Sequence, residues 1–103
     1  MIIDVQQSDI ETSKKLYGPY YNPYKSVDKI CPIALAAKRT FPSAYSISVR
    51  PSKDIQCIGN VWLIDINSEH GSLLYWLSED IGLRASHFDR TRDMEPFSFE
   101  IKL

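Results

Sequence analysis

Apolar side chains recur at steps of three and four residues in the segment KICPIALAAKRTF, which begins at Lys29. Residues at these steps share one face of an α-helix, so the pattern predicts an amphipathic helix. Pro32 is tolerated only in the first helical turn, and Phe41 is pushed out of the helical region by the proline after it. We therefore expect the main helix to run over Lys29–Thr40 and to pack across one face of a sheet. Its apolar face comprises Ile30, Ile33, Ala34, Ala37 and Phe41.

The two ends of the chain alternate between apolar and polar residues, which predicts a β-strand at each end. Residues 1–6 place Ile3 and Val5 on one side, and residues 97–103 place every second residue on one side. Because both segments alternate and both termini need anchoring, we expect the first and last strands to be neighbours in a sheet.

Residues 44–50 also alternate, and the turn-forming residues 51–54 come directly after them, so we expect a hairpin. Its second strand is predicted to begin at Ile55, with an interruption at Gly59. The nearly continuous apolar run over residues 61–66 is typical of a central strand that is covered on both faces. The side of the first hairpin strand that we expect to be buried comprises Tyr45, Ile47 and Val49.

A short helix is predicted immediately after the first strand. Ser8 and Glu11 have the spacing of a capping box, in which two side chains satisfy backbone N–H groups at the helix start. The helix is therefore expected to run from Asp9 to about Leu16. Since its apolar content is low, we expect it to lie on the surface.

A further helical region is predicted directly after the central strand, because apolar residues recur there at helical steps. Gly82 is expected to break or kink it, and residues 83–89 are expected to add a helical turn with Phe88 buried. Residues 89–95, DRTRDME, are then expected to form a charged turn before the last strand. The residues of the apolar stripe are Leu73, Leu74, Leu77 and Ile81.

These elements predict an α+β fold, with an antiparallel or mixed sheet of four to five strands, one main helix across a face and further short helices. The 103 residues, 44% apolar and 24% charged, are typical of a single globular domain, residues 1–103. No apolar run has the length of a membrane span and the first residues lack a signal-peptide layout, so we expect a cytoplasmic protein without membrane contact. Cys31 and Cys57 fit this as buried, reduced thiols.

The net charge of −1 conceals an asymmetry, because residues 1–53 sum to +4 and residues 54–103 to −5. Two halves of opposite sign can simply attract each other within the fold, which is the interpretation we favour. The alternative is a basic face built by the N-terminal helical segments, which would be available to nucleic acid.

Residues 17–25, YGPYYNPYK, combine two prolines and a glycine with four of the six tyrosines of the chain. The prolines and the glycine exclude regular structure, so we expect a loop. Its rings either cover the apolar edge of the core or form a rigid contact surface, since tyrosine is over-represented in binding hot spots. Four tyrosines exceed what one loop needs to seal a small core. The candidate binding residues are Tyr17, Tyr20, Tyr21, Tyr24 and Lys25.

Cys31 is the candidate nucleophile, because a helix N-terminus lowers the pKa of a thiol. Its base would have to be His70 or His87, which nothing in the sequence places beside it, and a cysteine before an apolar helix is more often a small buried residue. The cysteines and histidines also lack the close pairs of a zinc site. We therefore expect no enzymatic activity, no metal and no cofactor.

Residues 86–93, SHFDRTRD, gather one histidine, two aspartates and two arginines. Arginine and histidine beside carboxylates can clamp a phosphate or act as acid and base. Alternating charges in a polar turn are more typical of a solvated surface that pairs with itself. Asp89 can alternatively close the turn before the last strand, which is a structural role.

Three segments carry a family resemblance: the opening IIDVQQSDI, the helix CPIALAAKR and the ending FDRTRDMEPFSFEI. Together they resemble a family of short uncharacterised proteins from bacteriophages and bacterial mobile elements, with a Cys-Pro-Ile-Ala-Leu-Ala helix and a C-terminal Phe-Asp…Pro-Phe-x-Phe-Glu segment. The tyrosine-rich loop and residues 71–84 are longer here than the usual spacing of the family. The resemblance implies an origin and an order of elements, and it brings no activity.

The sequence leads to one functional hypothesis and two alternatives. We expect a small non-enzymatic binding protein that blocks or modulates a host protein through the tyrosine-rich loop. The first alternative is a nucleic-acid-binding module in which Lys14, Lys15 and Lys25 supply charge and the tyrosines stack on bases. An enzyme built on Cys31 is the second alternative.

Overall fold

The computed structural model of the protein describes residues 1–17, 29–51 and 61–102, which form three helices and five strands. The elements confirm the predicted α+β class. In chain order they are β1 (Ile2–Val5), α1 (Gln7–Tyr17), α2 (Pro32–Thr40), β2 (Ser46–Pro51), β3 (Trp62–Ser68), β4 (Gly71–Trp76), α3 (Glu79–Thr91) and β5 (Phe97–Glu100).

Helix α2 ends at Thr40, as Pro42 predicts, but it begins at Pro32, three residues after the expected start at Lys29. Cys31 is the N-cap, its Sγ accepts a hydrogen bond from the backbone N–H of Ala34, and Pro32 occupies the first helical position. At the other end the N–H of Phe41 donates to the carbonyl of Ala37 and closes the helix. Ile33 is completely buried, and α2 contacts both β1 and β2, so the predicted main helix is the core helix.

The described strands form two antiparallel sheets, one of two strands and one of three, instead of the single sheet of four to five strands that we expected. In the smaller sheet β1 pairs with β5, which confirms that the first and last strands are neighbours. Ile3 and Val5 are buried, as predicted. The Oγ of Ser98 donates to Asp4 at 2.7 Å and ties the two strands together on their exposed side.

The larger sheet has the order β2-β3-β4, so β3 is its central strand. Trp62, Ile64 and Ile66 of β3 are buried on the core side. Leu63 is buried on the opposite side, but Asp65 there is partly exposed, so β3 is the predicted central strand without being fully covered on both faces. The expected turn at 52–54, the strand start at Ile55 and the interruption at Gly59 lie outside the described residues.

Tyr45 was expected on the buried side of the strand that became β2, and this is wrong. The strand begins at Ser46, and the Tyr45 side chain is 72% exposed, whereas Ile47 and Val49 are buried as predicted. Ser48, on the opposite side, is also buried, and its hydroxyl accepts a hydrogen bond from Arg50 at 3.0 Å. Position relative to the strand end, more than the alternation itself, decides which side chain is covered.

The helical region predicted after the central strand is also wrong, because residues 71–76 form β4. A two-residue turn, Glu69 and His70, reverses the chain, and Ser68 pairs with Gly71. Gly71 has φ = +125°, a conformation that residues with a Cβ rarely adopt, so the glycine permits this tight hairpin. Residues 73–76, LLYW, are a continuous apolar run, and over so few residues such a run does not distinguish a strand from a helix.

Helix α3 runs without interruption past the glycine that was expected to break it. Ser78 caps the helix, and the N–H of Gly82 donates to the Ser78 carbonyl, so Gly82 lies within the helical hydrogen-bond ladder. A helical glycine costs about 1 kcal/mol relative to alanine, and the burial of Phe88 offsets this cost. The helix ends at Thr91, so the charged turn is shorter than predicted, and Arg92 takes the left-handed cap conformation.

Helix α1 begins at Gln7 and not at Asp9, and its capping group differs from the predicted one. The carboxylate of Asp9 accepts the N–H of Gln6 at 2.9 Å, which is the backward half of a capping box shifted two residues from the Ser8 pair. The helix is not a surface helix, because Asp9, Ile10, Ser13 and Tyr17 are all buried. The buried Asp9 also pairs with Arg39 and so joins α1 to α2.

Candidate binding surface

Tyr17 is the candidate binding residue that the structure describes, and it lies in the core. Its side chain is 4% exposed, and its ring meets Phe88 edge-on at 5.3 Å between centroids. Its hydroxyl donates to Asp89 at 3.1 Å, and the guanidinium of Arg92 lies 4.2 Å above its ring. Tyr17 therefore belongs to the covered alternative and not to an exposed contact surface. The other candidates, Tyr20, Tyr21, Tyr24 and Lys25, lie outside the described residues.

Sequence reasoning missed the buried face of α1 because Ser13 occupies its centre. Ile10, Ser13 and Tyr17 follow the three- and four-residue steps of one helix face. A serine on that face hides the pattern, but its hydroxyl donates to the Ile30 carbonyl at 2.6 Å, so it can be buried without loss of a hydrogen bond.

The arginines of the charged segment 86–93 bind the C-terminal turn of α3. Arg90 donates to the Ser86 carbonyl, and Arg92 donates to the carbonyls of Phe88 and Asp89, so both guanidinium groups bind the last turn of α3. Cations at this end of a helix are stabilising because its carbonyls carry partial negative charge. These contacts support the structural interpretation over a phosphate clamp.

The fold alters the titration of Asp89. Partial burial of its carboxyl group raises the pKa above the ordinary value of 3.8, while the hydrogen bond from Tyr17 and the charge of Arg92 act in the lowering direction. Burial likewise raises the pKa of the Tyr17 hydroxyl. The pair therefore keeps the hydroxyl proton on Tyr17 and links α1 to α3.

A groove of about 340 Å³ lies between α3 and residues 93–95. His87 Nε2 is 3.9 Å from a carboxylate oxygen of Asp93, and Arg84 lies 3.4 Å from Asp80 and 4.7 Å above the ring of Phe97. The basic groups of the groove thus already have partners. Among the described residues no set of His, Cys, Asp or Glu has the arrangement of a metal site.

The thiol proposed as a nucleophile occupies a structural position. Cys31 is buried, with 6% of its side chain exposed, and its sulfur serves as the N-cap acceptor of α2. Burial restricts access of a substrate to the sulfur, while reactive cysteines are partly exposed. Cys57 lies outside the described residues.

The outer face of β4 presents two large apolar side chains that the sequence analysis assigned to a buried helix stripe or did not single out. Leu74 is 52% exposed and Trp76 is 50% exposed. In the strand register, Trp76 lies beside Leu63 and Leu74 lies beside Asp65. Strand alternation is the signal that could have found this face, since Leu73 and Tyr75 point to the half-buried side and Leu74 and Trp76 do not.

A polar pair lies next to these apolar side chains on the same face. Arg50 of β2 contacts the carboxylate of Asp65 at 3.3 Å, and Asp65 is in register with Leu74. An apolar centre with polar groups at its border is the usual composition of a protein-binding surface. We call the outward side chains Leu74 and Trp76 with the Arg50–Asp65 pair the β4 face.

The chain matches no family model, no curated protein and no solved structure. The resemblance described from the sequence therefore stays a prediction. In the part of the chain that the structure describes, none of the helices is long and apolar enough to cross a bilayer.

Proposed function

We propose that the protein is a small non-enzymatic binding module that attaches to another protein through the β4 face. The observation that carries this proposal is the half exposure of Trp76 and Leu74 on a strand without a charged residue. Tryptophan is enriched among the few residues that dominate binding free energies, and charged residues are depleted at the centres of interfaces. The exposed half of these two side chains stays in contact with water in the folded chain. This part of their apolar area therefore does not stabilise the fold.

The tyrosine-rich loop is the second part of the proposal. Tyr20, Tyr21, Tyr24 and Lys25 stay candidate contact residues of this loop, while Tyr17 is left out because its ring is buried. We propose further that the partner is a host protein that a phage- or mobile-element-encoded chain blocks or modulates in the cytoplasm. The resemblance to such a family supports this part.

The proposal is tested by capture from a bacterial lysate, with and without nuclease treatment, using tagged wild-type protein, a Trp76→Ser variant and a Leu83→Ser control. Leu83 is 45% exposed on α3 and lies outside the β4 face, so it is matched in exposure. We expect wild type and Leu83→Ser to retain the same partner and Trp76→Ser to lose it, with unchanged circular dichroism in all three.

Equal capture by Trp76→Ser would overturn the role of the β4 face. In that case a triple Tyr20, Tyr21 and Tyr24→Ser variant decides whether the loop alone carries the contact. Capture that disappears on nuclease treatment would instead favour the nucleic-acid alternative. In the structure one of its candidate lysines, Lys14, is 3.7 Å from Glu11, which offsets part of its charge.

A further inference from the structure

The outer edge of β4 offers backbone groups for pairing. The N–H of Leu77 donates to the carbonyl of Trp62 at 2.9 Å, which fixes the alternation of the antiparallel ladder between β3 and β4. In such a ladder every second residue points its N–H and C=O away from the neighbour, and these residues are Ser72, Leu74 and Trp76. Within the described residues no backbone hydrogen bond reaches this edge.

The two edges of the three-stranded sheet differ in protection. Natural edge strands are usually guarded by charged residues, prolines or bulges that prevent pairing with another chain. β2 carries Arg50 and Pro51 at its end, whereas β4, with the sequence GSLLYW, carries neither a charge nor a proline. The β4 edge is therefore open to pairing where the β2 edge is guarded.

We propose that the open edge of β4 pairs antiparallel with β4 of a second copy of this chain, forming a two-fold dimer. Leu74 lies opposite Leu74 of the second copy, and Ser72 lies opposite Trp76 of the second copy. This inference rests on the proposed function, because both concern β4. The second copy occupies the edge of the strand, and the side chains of the β4 face remain available to the partner protein.

The register of the proposed pair follows from the ladder. A residue whose backbone N–H and C=O point away from β3 can form hydrogen bonds only with a residue of the second copy whose backbone groups also point away from β3. Ser72, Leu74 and Trp76 can therefore pair only among themselves. Centring the pair on Leu74 satisfies all three and yields about six new backbone hydrogen bonds. On the inner side it places the half-buried Leu73 against Tyr75 of the second copy.

The absence of charge on β4 favours a second copy as the occupant. A two-fold pair places the same residues of both chains around the axis, so a charged residue near the centre would face its own like charge. β4 has none, and it is complementary to itself. Pairing also places the two β4 faces side by side on one surface of a continuous six-stranded sheet.

The inference is tested by light scattering after gel filtration over a series of protein concentrations. We expect the mass of wild type to rise with concentration from 11.8 kDa towards twice that value. Leu74→Lys places two ammonium groups across the two-fold axis, and Leu74→Pro removes an N–H that points away from β3, so a monomer can accommodate the proline. Both variants are expected to stay monomeric, with a dissociation constant raised at least about tenfold. Leu83→Lys is the matched control and is expected to dimerise.

A wild-type mass that stays monomeric at every concentration would overturn the dimer, and so would dimerisation of Leu74→Pro at the wild-type concentration. Circular dichroism of each variant excludes loss of folding as the cause of a monomer. The two proposals fail separately. If wild type is monomeric and Trp76→Ser loses the partner, only the dimer is refuted. If wild type dimerises and Trp76→Ser still captures the partner, only the role of the β4 face is refuted.

Discussion

Two regions of the molecule use large apolar side chains in opposite ways. Around Tyr17 and Phe88, the rings are buried and the tyrosine hydroxyl has a carboxylate partner. On β4, Leu74 and Trp76 keep half of their surface in water. The type of a side chain therefore does not decide whether it serves folding or binding. What decides this is whether another element covers the side chain, because apolar area stabilises the fold only when folding removes it from water.

The same contrast separates the polar groups of the two regions. Asp89 is held between Tyr17 and Arg92, so its pKa depends on the packing of α1 against α3. The Arg50–Asp65 pair on the β4 face is partly solvated, and exposed pairs of this kind contribute roughly 0–1 kcal/mol. We therefore expect substitutions in the buried region to cost more stability than substitutions on the β4 face, and we expect the stability of the buried region to depend on the titration of Asp89.

The largest loss of stability is expected from a substitution in the buried region. Phe88→Ala removes a fully buried ring that packs against Tyr17, and it should lower the free energy of unfolding by about 3–5 kcal/mol. Leu83→Ala, on the same helix but 45% exposed, is the control and should change it by less than about 0.5 kcal/mol. Urea melts measure both values. Equal losses would mean that the two faces of α3 are not distinct.

A smaller effect depends on pH. The folded-state pKa of Asp89 is raised, so the folded protein binds its proton more tightly than the unfolded chain does, and the resulting stability is fully present below the ordinary pKa of 3.8 and lost as pH rises. Asp89→Asn removes this dependence, so the variant should gain stability relative to wild type as pH increases from acid to neutral. Urea melts at a series of pH values measure the difference.

The Tyr17→Phe variant tests the contribution of the tyrosine hydroxyl to the pKa of Asp89. The hydroxyl of Tyr17 donates to Asp89 and acts to lower its pKa, so removing the hydroxyl should raise the pKa of Asp89 further. Carboxyl carbon chemical shifts in an NMR titration report this value directly. An unchanged Asp89 titration in the variant would show that the bond has no electrostatic effect.

The last expected effect concerns the β4 face and is smaller than that of Phe88→Ala. Trp76→Ser should lower the free energy of unfolding by about 1–2 kcal/mol, because half of the side chain is in water and the other half packs on the sheet beside Leu63. Thermal and urea melts measure this, in the concentration range where wild type is monomeric. A loss of about 3–5 kcal/mol, as large as that of Phe88→Ala, would place Trp76 in the core and end the contrast between the two regions.

The elements that could be predicted from the sequence are those whose limits depend on local chemistry. Pro32 and Pro42 bound the main helix because proline restricts the backbone whatever surrounds it. The continuous apolar run of β3 and the alternation at both chain ends need no knowledge of neighbours to indicate strands. The binding candidates beyond Tyr17 stay predictions.

Long-range packing resolves the segments whose sequence is ambiguous. Residues 73–81 fit both a helical stripe and a short apolar strand followed by a helix, and pairing with β3 selects the strand. Tyr17 is drawn into the core by Phe88 and Asp89, which lie more than 70 residues away in sequence. Trp76 stays exposed because no described element covers the outer side of β4. Local sequence encodes propensity, whereas burial is a property of which distant surfaces meet.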